Sequence, residues 1–328
     1  MTTLFNFKMA ATGLICAAVL SACGGGGDSV AVVAPLPDKL VSIHFAAVNG
    51  TTPVKCGTPL TGLGSTAVAA DLKDLRFYIT HLALVNDKGV AVPVKLDSNS
   101  WQLTQGGETV SLIDLEDASG PCADATHTAA TNAVITGSVP GGTYVGLKAS
   151  MGVPETLNHS AITGGAAPLD VAATAWSWQS GRKFTKIEIN PVGGILKTDA
   201  STGLTSTLST FNFHLGSTGC AAKVDAGGVA VKDAAGNVVY SCTNPNVMDF
   251  ALASFDAGTQ KVALDLGQLF RTTDVTRENG GAAGCMSGAT DPECPTLFTE
   301  LKIAFGSGSS GLSINGGAGQ TLFKAVLK

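Results

Sequence analysis

The side chains best suited to chemistry in this chain are its five histidines and three tryptophans. Imidazole works as a proton shuttle and as a metal ligand. His44 and His81 fall inside apolar, strand-like runs, where a single histidine is more often structural. His127 follows Cys122 in a polar loop and is expected to face solvent. Two others have more telling surroundings. His159 closes the run Gly152-Val153-Pro154-Glu155-Thr156-Leu157-Asn158-His159, and His214 opens His214-Leu215-Gly216-Ser217-Thr218-Gly219-Cys220. Between them lies Trp176-Ser177-Trp178-Gln179-Ser180-Gly181. In an extended segment Trp176 and Trp178 point the same way, so both could line one site. An indole N–H only donates and offers no lone pair to a metal, so an unmodified tryptophan is wall rather than ligand. The competing reading makes the W-x-W pair core packing and His214 a satisfied core histidine. Asn158 is placed to orient His159.

Other local motifs carry little. Gly306-Ser307-Gly308-Ser309-Ser310-Gly311 matches a dinucleotide fingerprint, but no helix start or acidic residue follows at the required distance. It reads as a turn. No nucleophile elbow, H-E-x-x-H or EF-hand loop occurs, and Asp114 with Glu116 reads as a polar strand face. The sequence therefore predicts no catalytic residues and a protein that is not an enzyme. The formal charge of -5 is scattered rather than blocked, which gives no footprint for nucleic acid.

The elements that position these residues are strands. With 41 Gly and only 14% charged residues, the chain is richer in turns and poorer in charge than a typical soluble domain. At 45% hydrophobic it can still build a core, so charge-driven disorder is excluded. Strand-like runs recur at 40–48, 75–85, 90–96, 110–114, 143–151, 184–189, 209–215, 238–241, 262–266 and 301–305. Turn signals such as Asn86-Asp87-Lys88-Gly89 and Pro140-Gly141-Gly142 separate them. No long stretch has helical periodicity. The fold class is all-β, a β-sandwich with long loops stapled by disulfides.

The N-terminus reads as an export signal: Lys8, then the apolar stretch 9–20, too short to span a membrane. Leu20-Ser21-Ala22-Cys23 looks like a bacterial lipobox, with Cys23 as the lipidated residue and Gly24 favouring the outer membrane. Residues 1–22 are then the signal, 23–38 a Gly/Pro/Ala-rich tether and 39–328 the domain. A lipid anchor makes the membrane a partner and leaves the domain facing the periplasm or the cell surface. Six cysteines remain after Cys16 and Cys23, an even number that reads as disulfides in an exported protein. The local choice is Cys220–Cys242 and Cys285–Cys294, leaving Cys56–Cys122.

A series of motifs carries a family resemblance. Gly141-Gly142-Thr143-Tyr144-Val145-Gly146-Leu147 comes first, followed by the G-V-P-x-x-L-N-H, W-x-W-Q-x-G and H-L-G-S-T-G-C segments. Residues 74–84, Trp101-Gln102 and Gly284-Cys285-Met286-Ser287 with Asp291-Pro292-Glu293-Cys294 fit the same pattern. Over roughly residues 40–305 the chain resembles the MbnP family, the copper-binding, four-Cys partners of the di-haem protein MbnH. Arg182 departs from it, since an aromatic residue is expected there.

The resemblance implies a sandwich that binds copper, Cu(I) or Cu(II), through two histidines and an oxidised tryptophan. A di-haem partner of the cytochrome peroxidase family would convert that tryptophan to kynurenine, whose aryl amine and carbonyl oxygens can ligate. Carried onto this sequence, the ligands are His159, His214 and oxidised Trp176. Trp178 is the second choice for oxidation, and His44 and His81 are additional ligand candidates. The alternative function is a metal-free binding or adhesion lipoprotein.

Overall fold

The structure, a computed structural model, describes residues 36–176, 181–199, 201–233 and 236–328. The export signal, Cys23, most of the tether and Trp178 lie outside the described residues. The principal strands are β1 (Lys39–Asn49), β2 (Val68–Asn86), β3 (Glu108–Asp114), β4 (Val134–Val139), β5 (Tyr144–Met151), β6 (Ala175–Trp176) and β7 (Gly181–Arg182). They continue with β8 (Thr185–Pro191), β9 (Phe211–Leu215), β10 (Thr218–Ala222), β11 (Tyr240–Asn244), β12 (Met248–Leu252), β13 (Gln260–Asp265) and β14 (Phe323–Leu327). Two helices matter below, α1 (Glu155–Asn158) and α2 (Cys294–Leu301).

Alternation along these strands builds two facing sheets. The smaller runs β14–β13–β1–β4, with β1 parallel to β13 and antiparallel to β4. The larger runs β12–β5–β2–β8–β9, with Gly284–Cys285 beyond β9 and β3 also paired to β2. Phe45 and Phe323 from the smaller sheet meet Phe77 and Phe250 from the larger. The Phe45–Phe77 and Phe77–Phe323 rings pack edge-on at 6.1 and 6.0 Å, and Phe250 stacks on Phe323 at 4.0 Å. Such offset and edge contacts add to the large apolar area each ring buries. The all-β sandwich expected from the sequence is the observed fold, and all three expected disulfides form.

The outer face of the larger sheet is buried as well, which matters for the site. In β2, Leu75, Phe77 and Ile79 point into the sandwich, so Asp74, Arg76 and Tyr78 point outward. A loop folds over them: the Tyr78 hydroxyl donates to the Pro168 carbonyl at 3.0 Å and pairs with Thr174 Oγ1 at 2.9 Å.

Some expectations fail. Residues 301–305 are not a strand. α2 ends at Leu301, and Lys302 closes it in the left-handed conformation at φ 56°. Only Leu301 of that run is helical, and beyond the Lys302 cap Ile303 makes a single antiparallel bridge to Ser313, too little for a strand; Pro295 suits the first turn of α2. Residues 90–96 form two short strands, Ala91–Pro93 and Lys95–Leu96. β4, β12 and β14 were not expected. Among the described residues no helix is long and apolar enough to cross a membrane.

Candidate metal centre

A two-strand hairpin organises the site. β6 and β7 pair Ala175 with Arg182 and Trp176 with Gly181. Glycines let two neighbours close on it. The Trp176 ring lies on Gly216, where a Cβ would come within 2.1 Å of Cζ3. Asn158 lies on Gly181, where a Cβ would sit 2.9 Å from Nδ2. Thus the His159 loop and the strand carrying His214 meet the same hairpin through residues next to, or two away from, each histidine.

Arg182 holds the His159 loop in shape. Its side chain is buried, and its guanidinium donates to the carbonyls of Leu157, Asn158, Ser160, Ala161 and Leu169. Its backbone N–H donates to Asn158 Oδ1 at 2.9 Å. The planar fork suits this task, since five fixed donors can serve several carbonyls that a short loop leaves unpaired. The departure from the family pattern is therefore a local frame for His159.

His159 is partly buried, and its ring stacks on Tyr240 with centroids 4.5 Å apart. Its Nε2 lies 3.3 Å from Asn158 Nδ2 and 3.3 Å from Cys242 Sγ in the Cys220–Cys242 bridge. A cleft of about 160 Å³ opens beside it, lined by Glu155, Tyr240 and Lys223 among others.

His214 is buried on the outer face of β9. Its Nε2 is 2.8 Å from Glu188 Oε1 on β8, and Glu188 also takes Lys186 Nζ at 3.2 Å. Burial first, then two nearby lysines, lower the His214 pKa against the opposing pull of Glu188, which favours the neutral ring. Burial works to raise the Glu188 pKa, but its bonds to His214 and Lys186 outweigh that and bring it down to about 2. The His214 Nδ1 is buried and has no hydrogen-bond partner among the described residues. A buried acceptor without a donor is costly and rare. A neutral imidazole with an unused lone pair in a shielded place fits a metal such as copper.

Behind His214 runs a row of buried charge. Lys186 pairs with Asp74, Asp74 with Arg76 at 3.0 Å, and Arg76 with Asp114 at 2.8 Å and with Glu116. His127 belongs to this row. Its side chain is 1% exposed, with Nε2 2.9 Å from Asp74 and Nδ1 2.7 Å from the Cys122 carbonyl. The solvated His127 expected from its polar surroundings is thus corrected. Cys122 is buried, and the His127 ring turns inward onto its carbonyl. Sequence reasoning also missed Glu188 and Tyr240, although the alternation in β8 placed Glu188 on one face with Lys186.

The remaining candidates lie elsewhere. His44 sits in β1 of the smaller sheet, opposite Lys261. His81 is exposed at a left-handed break in β2 and binds Glu108 at 2.9 Å. Neither joins the hairpin.

A family model described as MbnP matches residues 38–287, a span that includes both hairpin histidines. The chain belongs to the MbnP family. Its structure is similar to that of MbnP from Methylosinus trichosporium, with 32% identity over 89% of this chain and 99% of that one, at a TM-score of 0.75. No curated protein matches in a sequence search. Membership of the MbnP family suggests a copper-associated role. The family match stops before β14, which pairs with β13 at the edge of the smaller sheet.

Proposed function

We propose that this chain is an exported, lipid-anchored protein that binds copper through His159 and His214 beside a tryptophan oxidised to kynurenine. The observation that supports it most is the buried, unpartnered Nδ1 of His214, two residues from the glycine that seats Trp176. Trp176 is the residue we assign to oxidation, and a di-haem protein of the cytochrome peroxidase family is the assigned oxidant. At 4% exposure Trp176 lies out of direct reach, so oxidising equivalents would arrive by electron transfer through the hairpin. Loss of four electrons to the di-haem oxidant, with two oxygens taken from water and four protons released, would open the indole to N-formylkynurenine; hydrolysis would then release formate and leave an aryl amine and a carbonyl as donors. Copper is cargo in this reading, and the chain turns over no substrate. Cys23 would carry the lipid and hold the domain at the outer membrane, facing the periplasm.

Co-expression with the di-haem partner tests the proposal. The expected result is an intact mass showing one indole converted to kynurenine, and one copper per chain. An unmodified mass, with copper no higher than in a His159→Ala/His214→Ala variant, would reject it.

A further inference from the structure

His214 and Glu188 sit on adjacent strands, two residues off direct register: His214 faces Lys186, and Glu188 faces Asn212. Such diagonal neighbours on one sheet face are within reach of long side chains. The result is the 2.8 Å contact between His214 Nε2 and Glu188 Oε1. An ionised carboxylate only accepts, so the hydrogen must be on Nε2 and the lone pair on Nδ1. Glu188 is itself fixed by Lys186, which is anchored on Asp74 and, through it, on Arg76. The backbone is fixed too: Ser287 Oγ donates to the His214 carbonyl at 2.9 Å and accepts from Gly216 N–H at 3.2 Å. Every polar group of His214 named here is satisfied except Nδ1, which is buried.

We propose that Glu188 is the positioning residue of the metal centre: it locks His214 in the Nε2–H tautomer and makes Nδ1 the copper-binding nitrogen. The proposal rests on the reading of His214 as a ligand, and it adds which nitrogen binds and what decides it. A carboxylate on the far nitrogen also makes the ligand more basic, and losing such a partner typically weakens metal binding roughly 10–100-fold. The charged row from Lys186 to Arg76 then has a purpose. It keeps an ionised acceptor in place on a buried face, where a lone carboxylate would take up a proton.

Two measurements test this. The first needs no variant: ¹⁵N chemical shifts of His214 in the metal-free protein near neutral pH. The Nε2–H tautomer is expected, and the Nδ1–H tautomer would overturn the proposal. The second is Cu(I) competition against a chromophoric chelator for wild type, Glu188→Ala, Glu188→Gln and His214→Ala. Glu188→Ala should weaken Cu(I) roughly 10–100-fold. Glu188→Gln keeps an acceptor oxygen and should lose less. Cu(I) affinity of Glu188→Ala within about twofold of wild type, with His214→Ala defective, would reject the role of Glu188 alone. Wild-type affinity in His214→Ala would instead reject the ligand assignment on which the proposal rests. Should Glu188→Ala fail to fold, the tautomer measurement and Glu188→Gln still decide.

Discussion

Replacing Gly216 with alanine puts one methyl group where the Trp176 ring lies. The added Cβ would sit 2.1 Å from Cζ3, 2.4 Å from Cε3 and 2.8 Å from the Arg182 carbonyl oxygen. Ordinary carbon contacts begin near 3.5 Å, so the overlap exceeds 1 Å by simple difference. The backbone has little room to yield. Gly216 N–H donates to Ser287 Oγ, and its carbonyl accepts from Asn246 Nδ2 at 2.8 Å. Gly216 is not in the left-handed region, so alanine brings no backbone strain and the effect is steric alone. Overpacking a tight interior costs about 1–3 kcal/mol. With a rigid ring on one side and a pinned backbone on the other, we expect about 2–3 kcal/mol for Gly216→Ala. Denaturant unfolding of protein made without the di-haem partner measures it. The cycle with Trp176→Leu tests the cause, because the methyl should cost little once the ring is gone, giving a coupling of about 1–2 kcal/mol. A Gly216→Ala cost below about 0.5 kcal/mol, or additive single changes, would refute the assigned contact.

Three further outcomes follow from the same contacts. Arg182→Lys leaves several loop carbonyls without donors and should cost about 2–3 kcal/mol in denaturant unfolding. It should also weaken copper binding, and wild-type stability would remove Arg182 as the frame of the His159 loop. Glu188 has its folded pKa lowered from 4.5 to about 2. Its contribution of about 3 kcal/mol is therefore complete above its unfolded pKa and lost as pH falls through the folded one. Stability measured from about pH 6 down to about pH 2 should show this decline in wild type and less of it in Glu188→Gln; identical slopes would count against it. Under mild dithiol reduction, Cys220 and Cys242 should be the first alkylated, as read by peptide mass mapping. Both are partly exposed, whereas each other bridge has at least one fully buried cysteine. Earlier labelling of Cys285 and Cys294 would contradict that order.

Much of the scaffold was legible because strand alternation and turn residues act locally. β1, β5, β8 and β9 carry clear apolar faces, and local cysteine pairing was enough to find all three bridges. α2 was hidden because its apolar run is short, and length could not separate helix from strand. The motifs around His159, His214 and the W-x-W pair pointed to one site, and in the structure Asn158 lies on Gly181 and Trp176 lies on Gly216. What the sequence hid was long-range. Glu188 meets His214 only through strand pairing, and Tyr240 meets His159 only through the fold. His127 looked solvated because loop polarity says nothing about a covering layer, and the outer face of the larger sheet is covered.

The central claim is that one copper is held at this hairpin by nitrogen from both histidines. A copper-loaded crystal structure, with anomalous scattering at the copper edge, tests it most directly. The account predicts a single copper peak between His159 and His214 Nδ1, beside residue 176. A peak elsewhere, or one bonded to neither imidazole, would contradict it.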